Sequence, residues 1–367
     1  MFDHLNISEV GPLPTPHELL TALAPTPAQK RFVDQSRKTV RNILSRTDPR
    51  LLIIVGPCSI HDITAAKEYA SKLLQLSKSI DETCHVVMRV YFEKPRTARG
   101  WKGLLYDPKL DQTHDIALGL HLTRKLLLDL NQMGIATAAE FLDPLSAYYF
   151  GDLVTWGCIG ARTASSQIHR QMASSLLMPI AFKNATDGNV DVAVNSVISA
   201  AESHTYIGIN LYGQVSSIQT QGNKDCHIVL RGGETGPNYD PESITRTLNS
   251  LVKAGLPPRL LIDCSHDNSL RRHREQLSAF RSVINQVAEG NHNICGILLE
   301  SNLYEGNQAF ATNPSQLKYG VSITDSCLDW DTTEHLLMWG HAHLKKYDGV
   351  IQEIPNDSHY KEESKVI

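Results

Sequence analysis

Cys58, His266, Glu300 and Asp325 offer one thiol, one imidazole and two carboxylates, and three of them directly follow or close an apolar run. Cys58 follows Leu51–Val55, His266 follows Arg259–Cys264, and Glu300 closes Ile294–Glu300, while Asp325 ends the short Ser322-Ile323-Thr324-Asp325 stretch. A mixed sulfur, nitrogen and oxygen set selects a divalent transition ion over magnesium or calcium. With one open coordination position, such an ion could polarise a carbonyl oxygen as a Lewis acid. Cys58 has other readings: a packed thiol, a nucleophile with His61 as base, or a redox partner of Cys327. None of these accounts for the cations Arg89, Lys94, Arg96, Arg162, Lys183 and Arg231. Converging cations repel one another and imply anionic ligands. Arginine predominates among them, and its planar fork grips carboxylate or phosphate through two bonds. Because a phosphomonoester carries about −1.5 to −2 charge, the set suits two phosphorylated substrates, or a phospho-carboxylate and a phosphate.

The elements that must hold these residues are short apolar runs alternating with amphipathic segments: Leu51–Val55, His85–Tyr91, Ile135–Phe141, Cys158–Ala161, Pro179–Lys183, His227–Arg231, Arg259–Cys264 and Ile294–Glu300. Near-continuous apolar strands separated by helices predict a parallel sheet covered by helices, and this many repeats predict an α/β fold closed as a (β/α)8 barrel. Sites in such barrels lie at the C-terminal strand ends. That rim receives Cys58, Arg89 with Lys94, Glu140, Arg162, Lys183, Arg231, His266 and Glu300. One helix follows Asp62 as N-cap, with a stripe of Ala65, Ala66, Tyr69, Ala70, Leu73 and Leu74. Ahead of the barrel, Thr15-Pro16-His17-Glu18 and Thr26-Pro27-Ala28-Gln29 read as helix starts with capping boxes. The second of these helices should run to about Ser45, with Val33, Val40, Ile43 and Leu44 on one face. Tyr206–Asn210 and Gln214–Gln221 flank a Leu211-Tyr212-Gly213 turn and predict an antiparallel hairpin before strand six. The expected organisation is a helical extension over 1–48, a barrel over 49–350 that includes the hairpin at 205–222, and a disordered tail over 351–367.

The 367 residues are 41% hydrophobic and 20% charged, with net charge −4. This is a soluble globular composition, without the basic excess that nucleic-acid binding requires. The run Arg271-Arg272-His273-Arg274 reads as a solvated helix face. No apolar run approaches the ~18 residues needed to span a bilayer, and Met1-Phe2-Asp3-His4-Leu5 lacks the pattern of a secretory signal. Seven cysteines, an odd number without CxxC spacing, predict a reduced cytoplasmic protein without disulfides.

Several blocks resemble the type I, feedback-regulated 3-deoxy-D-arabino-heptulosonate 7-phosphate (DAHP) synthases. They are Gly56-Pro57-Cys58-Ser59-Ile60-His61-Asp62, Met88–Thr97 with its KPRT, Gly160-Ala161-Arg162-Thr163, Leu230-Arg231-Gly232-Gly233, Asp263-Cys264-Ser265-His266, Glu300–Gln308 with its EGNQ, and Tyr319–Asp325. The resemblance implies condensation of phosphoenolpyruvate (PEP) with erythrose 4-phosphate in the shikimate pathway of aromatic amino acid biosynthesis. It implies a metal (Mn, Fe, Co or Zn) on Cys58, His266, Glu300 and Asp325. PEP would be held by Arg89, Lys94, Glu140, Ala161, Arg162, Lys183 and Arg231. Erythrose 4-phosphate would lie on Lys94, Pro95, Arg96 and Thr97, with Lys94 and His266 acting in catalysis. The hairpin wording is closest to the tyrosine-sensitive form. It implies a homo-oligomer (dimer or tetramer) and an aromatic amino acid inhibitor, tyrosine, near Ser146, Ile209 and Gln219. The chain departs from the family pattern in four places. Ala181 and Ala185 stand in GFKNGTDG, Ala164-Ser165 stands in ARTTES, Ala98-Arg99 follows KPRT in place of Thr-Val, and Asp267 replaces the Gly or Ala of SHGN or SHAN. If the glycine at position 185 needs positive φ, the alanine costs about 1 kcal/mol. Such changes would suit a diverged paralogue that condenses PEP with another aldose phosphate; an inactive regulatory subunit is a further alternative, against which the intact Cys58, His266, Glu300 and Asp325 argue.

Overall fold

The computed structural model describes residue 6 and residues 11–351. Two helices precede the barrel, α1 (Pro16–Ala22) and α2 (Pro27–Leu44). Both begin with the expected capping boxes, in which Thr15 and Glu18, and Thr26 and Gln29, satisfy each other's backbone donors. The barrel strands are β1 (Leu51–Gly56), β2 (Cys84–Arg89), β3 (Thr137–Glu140), β4 (Trp156–Ile159), β5 (Ile180–Lys183), β8 (His227–Leu230), β9 (Leu260–Asp263) and β10 (Ile294–Glu300). Between β5 and β8 stand β6 (Thr205–Ile209) and β7 (Val215–Gln219), an antiparallel pair outside the barrel. The connecting helices are α3 (Ile63–Ile80), α4 (Ile116–Met133), α5 (Ser146–Phe150), α6 (Gln167–Ser175), α7 (Asp191–Ala200), α8 (Pro241–Lys253), α9 (Gln276–Ala288) and α10 (Trp330–Ile351). The eight parallel strands close in the order β1-β10-β9-β8-β5-β4-β3-β2, so the chain folds as the (β/α)8 barrel that its alternation predicts.

Strand side chains alternate between two cores. Leu51, Ile53 and Val55 pack outward against the helices, whereas Leu52 and Ile54 point into the barrel with Val87, Ala138, Ala181, Val229, Leu261 and Leu298. Val40, Ile43 and Leu44 of α2 join this inner cluster. An amphipathic helix outside the βα repeat therefore plugs the barrel end opposite the site. Along the inward parity the next residue is polar: Arg89 after Val87, Glu140 after Ala138, Lys183 after Ala181, Arg231 after Val229, Asp263 after Leu261 and Glu300 after Leu298. Six of the eight strands thus change from apolar plug to polar rim within two residues, while β1 and β4 reach Gly56 and Gly160 at that level.

Several expectations differ from the structure, beginning with the second and third strands, which span Cys84–Arg89 and Thr137–Glu140 in place of His85–Tyr91 and Ile135–Phe141. The fourth strand runs over Trp156–Ile159 in place of Cys158–Ala161, ending early because Gly160 and Ala161 leave the ladder to form the turn above it. The Arg271–Arg274 run is no helix face. Leu270 and Arg271 have φ near +51° and +58°, which breaks any α-helix there and leaves only a 3-10 turn over His273–Glu275; the arginines are solvated as expected, and they pair with Asp267, Glu275 and Glu305. Ala185 is absent from the positive-φ residues, so the alanine carries no such cost. The tail expected over 351–367 lies, beyond residue 351, outside the described residues. The hairpin tip packs on α1, with the His17 N–H donating to the Leu211 carbonyl at 2.8 Å and the His17 ring beside Tyr212.

Candidate active site

At the C-terminal mouth of the barrel lies a cavity of about 560 Å3. Its wall includes Lys94, Glu140, Arg162, Lys183, Arg231, His266 and Glu300, expected at the rim from the strand ends, together with Pro95, Arg96, Thr97, Ala161 and Asp325, which the sequence analysis also named as candidate site residues. Cys58 and Arg89 lie just beneath, wholly buried.

Cys58, Glu300 and Asp325 bring their ligand atoms within 4.8 Å of one another. His266 stands slightly outside this group, its Nε2 3.9 Å from Glu300 Oε1. Its Nδ1 faces Asp263 Oδ2 at 3.0 Å, which directs Nε2 toward the donor cluster. The His266 backbone has φ of +56°, a strained conformation for a non-glycine residue and one that concentrates at functional sites. Lys94 Nζ reaches Cys58 Sγ at 2.7 Å and Asp325 Oδ2 at 3.0 Å. Burial opposes the Lys94 ammonium, but Cys58, Asp325 and Glu300 outweigh it and push the pKa up. Conversely, Lys94 holds the Asp325 carboxyl far below the usual carboxylate range. Burial and the Glu300 charge push the Cys58 thiol up. The partners of Cys58 are Lys94 and Asp325, with no hydrogen bond to His61, which removes the support for a Cys-His nucleophile. All seven cysteines are free.

The cations are set into the wall by buried acids. Arg89 Nη2 donates to Glu300 Oε1 at 3.0 Å, and its guanidinium lies over the Tyr91 ring. Its Nη1 is buried with no hydrogen-bond partner among the described residues. An orphaned guanidinium nitrogen is costly unless a ligand completes it. Lys183 Nζ donates to Asp263 Oδ2 at 2.8 Å. Burial opposes the Asp263 charge, yet His266 and Lys183 hold its carboxyl well below the usual range. Arg231 pairs with Asp267, whose other oxygen accepts from Arg271 at 2.9 Å. Arg162 is exposed and donates to Thr97 Oγ1 at 3.1 Å, linking two loops over the cavity. At Gly160 a Cβ would come within 2.1 Å of Glu140 Oε1, so any side chain there would push that carboxylate aside.

Asp263 and Asp267 are site residues that the sequence reading left without a role. The inward parity of β9 identifies Asp263, two residues after Leu261. Asp267 has no such signal, since it lies on a 3-10 turn (His266–Ser269) outside any strand. Of the residues expected at a regulatory pocket, Ser146 is buried beside Glu93. Ile209 and Gln219 lie at opposite ends of the hairpin, paired with Val215 and Thr205.

The donor set fits a transition ion: a thiol, two carboxylates and an imidazole nitrogen converge where an ammonium already bonds two of them. Residues 28–338 match the DAHP synthetase I family. The chain is 46% identical over 342 residues to the Tyr-sensitive phospho-2-dehydro-3-deoxyheptonate aldolase of Escherichia coli K12, covering 93% of this chain and 96% of that protein. It is 45% identical over 335 residues to the Phe-sensitive enzyme of the same organism, covering 91% and 95%. The solved phospho-2-dehydro-3-deoxyheptonate aldolase of Francisella tularensis SCHU S4 superposes with a TM-score of 0.90 at 42% identity, over 93% of this chain and 99% of that one. The chain belongs to the DAHP synthetase I family and is an enzyme of the 3-deoxy-7-phosphoheptulonate synthase type.

Proposed function

We propose that the enzyme condenses PEP with D-erythrose 4-phosphate and water to give DAHP and phosphate, using a divalent transition ion held by Cys58, His266, Glu300 and Asp325. The observation that carries this reading is the donor cluster opening onto buried cations, among them Arg89 with its unpartnered Nη1. When bound there, the ion would supply Lewis-acid polarisation of an aldehyde oxygen. Arg89, Lys183, Arg231 and Arg162 would bind the phosphate and carboxylate of PEP, with Glu140 and Ala161 completing that wall. Pro95, Arg96 and Thr97 would hold the aldose phosphate. Lys94 would serve as a fixed positive charge beside the nascent alkoxide, because its surroundings favour retention of its proton. In the reaction PEP C3 forms a bond to the aldehyde carbon, whose oxygen takes a proton. Water oxygen adds at PEP C2, and the C–O bond to phosphate breaks to leave a ketone and inorganic phosphate. Fixing two anions in attack geometry is where the cations contribute most. The test is PEP consumption by metal-reconstituted protein with and without erythrose 4-phosphate. Activity that ignores the aldose, or survives strong chelation, refutes the reading.

A second reading, a longer aldose phosphate, is favoured by one observation. Past Lys94 and Arg96 a further cavity of about 810 Å3 carries Arg99 and Lys102 on its wall. Arabinose 5-phosphate assayed beside erythrose 4-phosphate separates the two. We further propose feedback inhibition by an aromatic amino acid, tyrosine first, at the face formed by α5 and the hairpin, and a homo-oligomer formed through the hairpin. Supporting the latter, Ile207 and Val215 of the hairpin are 86% and 78% exposed. Adding each aromatic amino acid to the assay, and sedimentation of the protein, test these two proposals. A cytoplasmic location rests on the seven unpaired cysteines; no described helix is long and apolar enough to cross a membrane.

A further inference from the structure

The segment carrying Lys94, Pro95, Arg96 and Thr97 leaves β2 and returns at Gly103. Two backbone bonds close its base: Lys94 N–H to the Lys102 carbonyl at 2.9 Å, and Leu105 N–H to the Phe92 carbonyl at 3.1 Å. At Gly103, where φ is +115°, a Cβ would meet the Phe92 oxygen at 2.2 Å. Just before Lys94 stands Glu93, wholly buried and turned to the connection between β3 and α5. Its Oε1 accepts from Asp143 N–H at 3.0 Å, while Oε2 lies 3.3 Å from Leu142 N and 2.9 Å from Ser146 Oγ. We propose that Glu93 is a positioning residue, a latch whose carboxyl fastens the 94–97 segment to the turn at the head of α5. The proposal rests on the reading above, in which that segment holds the aldose phosphate.

The hydrogen inventory determines how the latch is wired. The Ser146 hydroxyl has one hydrogen but faces two oxygens, Glu93 Oε2 at 2.9 Å and the Asp143 carbonyl at 2.8 Å. Both contacts are satisfied only when Glu93 carries a proton and donates it to Ser146 Oγ, which gives its own hydrogen to Asp143. Burial supports this arrangement. It pushes the Glu93 carboxyl up to about 8, against the lowering pull of Asp143 N–H, Ser146 and Leu142 N–H. The titratable groups facing it are Asp143 and Tyr106. Gln is then the nearest isostere of the working form: its amide NH2 donates to Ser146 and its oxygen accepts from Asp143, and it loses only the long 3.3 Å contact with Leu142 N–H.

The experiment uses the full chain, metal-reconstituted, as wild type, E93Q, E93A and S146A, with two readouts. Steady-state kinetics should show the KM for erythrose 4-phosphate raised about tenfold or more in E93A, with the KM for PEP within about twofold of wild type. E93Q should keep the wild-type KM at pH 7 and should not share the loss of aldose affinity that wild type shows as pH rises past about 8. Amide hydrogen exchange over residues 94–103 should speed up in E93A, less so in S146A, and remain slow in E93Q. Equal KM changes for both substrates, E93Q as impaired as E93A, or unchanged exchange over 94–103 in E93A overturns the latch. Should E93A not fold, unchanged exchange in S146A does so. If wild type shows no aldose-dependent PEP consumption, the functional reading falls, and the exchange data alone decide the latch.

Discussion

Removing the Asp267 charge should tighten PEP binding. Asp267 stands where the family pattern has glycine or alanine, and it pairs with Arg231, one of the cations proposed to grip PEP. Both side chains are largely buried, at 12% and 7% exposure. Burial opposes the Asp267 charge, but Arg271 and Arg231 outweigh it and hold the carboxyl below its usual range. A phosphate sharing Arg231 with this carboxylate would lie about 6 Å from it, where repulsion per charge pair is about 0.7 kcal/mol in water and about 3 kcal/mol at the effective dielectric of a protein surface. Freed from Asp267, Arg231 gains mobility that offsets part of this gain. The expected net effect of D267A is about 1–2 kcal/mol, a 5- to 30-fold fall in the KM for PEP. D267N should give most of that gain while keeping a hydrogen-bond acceptor for Arg231. The assay is initial rate against PEP at saturating aldose phosphate, repeated at two salt concentrations. A KM for PEP that rises in both variants would show that Asp267 orients Arg231 rather than competing with the phosphate, and would refute the reasoning.

Other expectations concern the donor cluster and the buried acids and bases. C58A should lose stoichiometric metal and at least about a hundredfold in turnover, read by elemental analysis and the PEP assay; full metal content with unchanged rate would exclude Cys58 as a ligand. D263N leaves Lys183 without its buried partner and His266 unaligned, and should cost about 3–5 kcal/mol of stability in urea unfolding. A change under 1 kcal/mol would mean that the pair is dispensable. His227 is buried with Nε2 accepting from Trp156 Nε1 at 3.1 Å, and burial lowers its pKa to about 3. Its contribution to stability is complete above the unfolded value of about 6.5 and is lost as pH falls toward 3. Between pH 6.5 and 4.5 this amounts to about 2 kcal/mol. Urea titrations at both pH values should show that loss in wild type but much less in H227Q, and equal slopes would assign the acid sensitivity elsewhere.

Most of the barrel was legible in the chain because its signals are local. Apolar runs such as Leu51–Val55 and Ile294–Glu300 need no partner to declare a buried strand, and Thr15 or Asp62 declares a helix start through its own neighbours. The rim chemistry was legible for the same reason, since a polar residue closing an apolar run marks the end of a strand. Strand boundaries were less so: at β4 the ladder ends at Ile159, where hydrogen bonding from neighbouring strands stops, and no residue type signals that point. The pairings within the site belong to the tertiary structure alone. Asp267 meets Arg231, Glu93 meets Ser146, and Arg89 keeps one nitrogen unpartnered, all across loops whose paths follow from barrel closure. Cys58 and Glu300 lie at opposite ends of the barrel sequence, yet β1 and β10 are adjacent in the closed sheet. Periodicity reports which way a side chain faces. Only the non-local ladder that joins the first strand to the last decides which side chain it meets.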